Sequence, residues 1–87
     1  MKTKSKILNP RNRIYTKSSS TTNFINYSES QEILEVKFKD TGKMYHYFHV
    51  PQDVWEEYKK EIWLEKSSGK FYNTKIKPFY AYEEVDE

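Results

Sequence analysis

Leu34-Glu35-Val36-Lys37-Phe38-Lys39 alternates apolar and charged residues without a break. A period of two marks a strand with one buried and one wet face, because successive side chains leave a strand on opposite sides. Asp40-Thr41-Gly42-Lys43 follows with the composition of a tight turn, and its glycine adopts a positive φ at little cost. Met44 to Val50 is then the returning strand. Upstream, Ser28-Glu29-Ser30-Gln31 reads as another turn, and Asn23 to Tyr27 as a first strand. Loops this short join neighbours, so the three strands form an antiparallel meander.

Pro51 stops the third strand and suits the first position of a helix, where its missing N–H is not needed. Asp53, Glu56 and Glu57 fall in the early turns, at the positive end of the helix dipole. Val54, Tyr58 and Ile62 recur four apart with Trp55 beside them, a stripe that packs on the sheet. Ser67-Ser68-Gly69 closes the helical region, and Phe71 to Tyr82 continues as an extended segment broken by Pro78. The expected fold is therefore α+β, a three-stranded antiparallel meander packed on one helix, with a C-terminal extended segment. Along the third strand Met44, His46, Phe48 and Val50 share one face, and Tyr45, Tyr47 and His49 the other. If Phe48 and Val50 lie under the helix, Tyr45 and Tyr47 line the opposite face. They are then exposed unless the N-terminal arm or the C-terminal segment covers them.

The 87 residues make one domain at most. Apolar residues are scarce at 36%, whereas aromatics reach 17%, with 8 tyrosines. Each ring buries a large area, so a few of them replace a larger aliphatic core. The absence of cysteine excludes a disulfide framework, thiol catalysis and cysteine-ligated zinc, and fits a reducing cytoplasm. No apolar run approaches the roughly 20 residues of a membrane span, and no apolar stretch follows the N-terminal lysines as in a secretory signal. Charge is divided along the chain. Lys2, Lys4, Lys6, Arg11, Arg13 and Lys17 form an arm free of acids, leaving 9 basic against all 13 acidic residues, a net −4, in residues 18–87. The organisation expected is a basic arm over 1–18, a domain over 19–82 and an acidic tail over 83–87.

Ordered motifs extend across this domain. Ser19-Ser20 precedes the first strand, Leu34-Glu35-Val36-Lys37-Phe38 forms the second, and Gly42, Tyr45-His46-Tyr47 and Val50-Pro51 follow. Trp55 and Tyr58 lie on the helix, and Ser68-Gly69-Lys70-Phe71-Tyr72-Asn73, Ile76-Lys77 and Tyr80 close the series. In order and spacing the chain resembles a KTSC domain, a family of small domains found at the C-terminus of some lysyl-tRNA synthetases and as free-standing proteins. Two features depart from the pattern: Lys70 follows Gly69 instead of preceding it, and Trp55 stands where a tyrosine or smaller residue is usual. The synthetase association implies RNA binding.

The residues themselves support three binding functions. Exposed tyrosines stack bases and lysines hold phosphates, which makes the domain an RNA-binding module. The same groups grip a small nucleotide-like anion at the interfaces of a homo-oligomer, as a phage or bacterial protein sequestering a nucleotide-type signal in the host cytoplasm would. A plain protein–protein interaction module is the third. The expected ligand-binding residues are Tyr45, Tyr47, Lys70, Tyr72, Asn73, Lys75, Lys77 and Tyr80. No catalytic or metal site and no cofactor is expected: His46 and His49 fall on opposite strand faces, and no phosphate loop, H-E-x-x-H or nucleophile elbow is present.

Overall fold

The computed structural model describes residues 7–16, 21–64 and 68–85. Lys2, Lys4, Lys6 and Lys17 of the basic arm, Ser19-Ser20 of the family pattern, Ser67, and Asp86 and Glu87 of the tail lie outside them. The fold is α+β, but its antiparallel sheet has five strands in sequential order: β1 (Ile14–Tyr15), β2 (Thr22–Ser28), β3 (Ile33–Phe38), β4 (Met44–Tyr47) and β5 (Tyr82–Val85). The expected meander is the centre of this sheet. The additions come from segments read as an arm and as a tail, where two or four strand residues between charges show too little alternation to declare themselves.

Helix α1 (Gln52–Trp63) follows Pro51, whose extended φ of −65° and ψ of 154° make it the residue before the helix rather than its first. Its Trp55 and Tyr58 are buried, with Val54 and Ile62 packed against the core. The segment expected to be extended instead coils. A short helix α2 (Ser68–Phe71) runs into a π-helical turn (Tyr72–Ile76), and only then does the chain straighten into β5. Gly69 is needed here for space. A Cβ at this position would stand 2.7 Å from Thr21 Oγ1, so only glycine lets α2 lie this close to the start of β2.

Register decides the faces. Ile25 pairs with Val36, Tyr27 with Leu34, and Leu34 with Tyr47, so these side chains share one side of the sheet. They form the main core with Val50, Trp55, Tyr58, Phe71, Tyr72 and Ile76. The alternate residues Phe24, Met44 and Val85 make a smaller cluster, against which Ile7 of the arm packs. Tyr45 and Tyr47 therefore lie on the helix side, and the expectation that they face away from it is overturned. The reason is local. β4 ends at Tyr47, and His49 takes a φ of +60°, a left-handed conformation that breaks the alternation. Val50 thus enters the core from a bend, with its N–H bonded to Glu32 O at 2.9 Å, and not as the continuation of the Met44–His46 face.

Candidate functional site

Five rings meet where β3, β4, β5 and the π turn converge. Phe38 is edge-on to Tyr45 (centroids 5.7 Å) and to Tyr72 (5.0 Å). Tyr82 lies edge-on to Tyr45 at 5.5 Å and tilts over Tyr47 at 5.4 Å. Tyr47 and Tyr72 stand edge-on at 5.7 Å, with their hydroxyls hydrogen-bonded to each other. Such arrangements match the positive edge of one ring to the negative face of the next. The cluster is graded by depth: Tyr47 is 1% exposed, Tyr72 9%, and Tyr82 59%. Two rings of the cluster, Phe38 and the most open one, Tyr82, were not among the expected site residues. Tyr82 had no signal of its own, because its place beside Tyr47 depends on β5 pairing with β4.

Of the expected residues, Tyr45, Tyr47 and Tyr72 come together in this cluster, and Tyr47 and Tyr72 are too deep to offer a ring face. Lys70, Asn73, Lys75 and Lys77 are exposed along α2, the π turn and the residue after it. Within this stretch Thr74 Oγ1 donates to Lys70 O at 2.8 Å. Tyr80 is half-buried against the core, and among the described residues no ring contact joins it to the five. Burial, and then the carboxylate of Asp53 in the first turn of α1, raise its pKa.

Burial also holds the buried hydroxyls protonated. Tyr47 is pushed far above the usual tyrosine range by desolvation and then by its bond to Tyr72, Tyr58 by desolvation, and Tyr72 by desolvation against a lowering from Tyr47. These phenols offer neutral hydrogen-bonding tips and no proton-transfer group near neutral pH. The sign for stability follows from linkage. An unfolded tyrosine releases its proton near 10, while the folded ones keep theirs. Their contribution is whole below pH 10 and is lost as pH rises from there toward the folded values. A pH titration of absorbance at 295 nm should show the buried tyrosines ionising late and together with unfolding, detected in parallel by far-ultraviolet circular dichroism.

The other side of the sheet holds a polar row. Glu35 and His46 are paired across β3 and β4 and are 0% and 1% exposed. His46 Nε2 lies 2.8 Å from Glu35 Oε2, which also accepts the Leu8 backbone N–H at 2.9 Å. Beside them Asn26 Nδ2 donates to Asn9 O at 2.9 Å. The arm therefore covers this face through its backbone. Glu35 Oε1 and His46 Nδ1 are buried and have no hydrogen-bond partner among the described residues. His49 is exposed in the bend. Among the described residues no group of three or more acidic, histidine or cysteine side chains could hold a metal ion, and no helix is long and apolar enough to cross a membrane.

No curated protein matches the sequence. The crystal structure of a KTSC domain protein from Yersinia pestis is similar, with 26% identity and a TM-score of 0.74 over 85% of this chain and 96% of that one. The family pattern described as the KTSC domain matches residues 18–82, about three quarters of the sequence. With the motif order seen in the sequence and a fold shared with that solved structure, the chain belongs to the KTSC domain family.

Proposed function

We propose that the domain is a non-catalytic module that binds single-stranded RNA along the ring-lined edge of its sheet. The observation that carries this reading is the exposed ring of Tyr82 on a cluster of four further aromatics. A base gains from stacking on a ring already fixed by its neighbours, because no side-chain freedom remains to be lost. Tyr82 and the half-buried Tyr45 take the stacking role, Tyr47 and Tyr72 support them from below, and the exposed Lys70, Asn73, Lys75 and Lys77 supply donors for phosphate and base edges. Fluorescence anisotropy with a short labelled oligouridylate tests it. Binding should weaken steeply as salt rises. Tyr82→Ala should weaken it about tenfold, since one base–ring stack contributes ~1–3 kcal/mol. No binding even at low ionic strength would remove this function.

A second reading, association between copies of the chain, rests on a different observation. Trp63 and Leu64 stand side by side at the end of α1, 83% and 55% exposed. Adjacent large apolar side chains in water mark a surface that meets protein. Light scattering should then give an oligomer for the wild type and a lighter species for Trp63→Ala. A wild type that is monomeric at all concentrations rejects this reading and leaves the RNA reading intact.

A further inference from the structure

Tyr82 shares its face of β5 with an acid. The pairing sets Tyr82 opposite Tyr47 and Glu84 opposite Tyr45, so Tyr82 and Glu84 leave the strand on the same side. Two residues of strand separate their Cα atoms by roughly 6.7 Å. Tyr82 packs edge-on to Tyr45 and tilts over Tyr47, and among the described residues β5 is the last strand of the sheet. The inner side of the Tyr82 ring is therefore taken, and a stacking base meets the outer side. At that place the Glu84 side chain is within reach of the base's edge.

The Glu84 side chain is open to solvent, 23% exposed, with Lys43 Nζ 4.0 Å from its Oε1. That is a loose ion pair, since the lysine is itself 52% exposed. A carboxylate has about four lone-pair sites on its two oxygens and accepts two parallel donors at once. The bases differ in what they offer it. Guanine presents adjacent N1–H and N2–H donors, spaced to meet both oxygens. Uracil has one N3–H set between two carbonyl oxygens, and cytosine and adenine have one amino group beside a bare ring nitrogen. Each of these three turns an acceptor toward the carboxylate next to its donor, and facing acceptors cost affinity.

We propose that Glu84 makes the ring-lined edge selective for guanine, the base stacking on Tyr82 while its N1–H and N2–H donate to the Glu84 carboxylate. This inference rests on the RNA reading and names the base that reading leaves open. It also gives the acid a place on a surface meant for phosphates. A bare negative charge there opposes every RNA alike, whereas a carboxylate met by two donors opposes only the bases that lack them.

Fluorescence anisotropy at one low salt concentration tests it, with the full-length chain and labelled pentaribonucleotides UUUUU, UUAUU, UUCUU, UUGUU and UUIUU, where I is inosine. UUGUU should bind about tenfold more tightly than UUUUU, the discrimination of one bidentate contact. UUAUU and UUCUU should stay near UUUUU. Inosine keeps N1–H and lacks the N2 amino group, so UUIUU should fall between guanosine and uridine. Glu84→Gln separates selectivity from plain charge. Removing the negative charge should strengthen UUUUU about twofold, while losing the carboxylate should weaken UUGUU about fivefold. Glutamine keeps the shape of the side chain, and circular dichroism confirms that the variant is folded. Equal binding of all five, inosine as strong as guanosine, or a Glu84→Gln variant that binds UUGUU more tightly would overturn the selectivity and leave the RNA reading in place. A wild type that binds none of the five removes the RNA reading, and this inference with it.

Discussion

Replacing Tyr58 with alanine should lower the free energy of unfolding by ~3–5 kcal/mol, the usual cost of removing a large buried ring. Small domains are stable by only ~5–15 kcal/mol, so this single change should remove a large share of the total. Tyr58 is 0% exposed and stacks on Phe71 at 4.5 Å, with the rings 27° apart. It is also the end of a buried chain of hydroxyls. Its own hydroxyl lies 2.8 Å from Ser68 Oγ, which accepts from Thr22 Oγ1 at 2.9 Å, and Thr22 Oγ1 is 2.7 Å from Thr16 Oγ1. That chain ties α1 to α2, to β2 and to the segment after β1. Tyr58→Phe keeps the ring and removes one link, so it should cost about 1 kcal/mol. Urea denaturation followed by circular dichroism separates the two. Equal losses for Ala and Phe would mean that the hydroxyl chain, not the ring, carries the effect.

The second large effect belongs to the other face of the sheet. Glu35→Ala should destabilise by ~3–5 kcal/mol, because it leaves His46 buried and unpaired and takes the acceptor from the Leu8 N–H. Removing both partners should be far milder. Glu35→Leu combined with His46→Leu replaces a desolvated polar pair by apolar groups next to Phe24, Met44 and Val85, and such exchanges are often neutral or stabilising. The double variant should therefore recover most of what Glu35→Ala loses, and should release the arm, seen as faster hydrogen exchange at Leu8. A double variant as unstable as the single one would show that the Glu35–His46 contact is not what the sheet depends on.

Much of this fold was legible from one alternation. Leu34-Glu35-Val36-Lys37-Phe38 gave β3, the Gly42 turn gave β4, and Tyr58 with Ile62 gave the buried stripe of α1. The Glu35–His46 pair was also within reach. The turn after Phe38 sets Lys37 opposite Met44, and moving two residues away from the turn on each strand sets Glu35 opposite His46. What failed was extrapolation beyond Tyr47. Period two was carried through Phe48, His49 and Val50, whereas the left-handed His49 ends it, and one broken step reverses which face the helix covers. Tyr45 and Tyr47 were consequently assigned to the wrong side, although their membership of an aromatic cluster with Tyr72 was visible. Tyr82 stayed hidden for a different reason. Its strand pairs with residues 35 or more positions earlier, Tyr82 with Tyr47 at the near end, and a four-residue strand carrying two glutamates has no periodicity to reveal such a contact.

The proposed RNA-binding edge is tested most directly by the footprint of a short single-stranded RNA on the amide and aromatic resonances of the ¹⁵N- and ¹³C-labelled chain. The rings of Tyr45 and Tyr82 should shift together with the amides of residues 73–77, and the Glu35–His46 face should stay unchanged. Absence of any shift, or shifts confined to Trp63, Leu64 and the Glu35–His46 face, would contradict it.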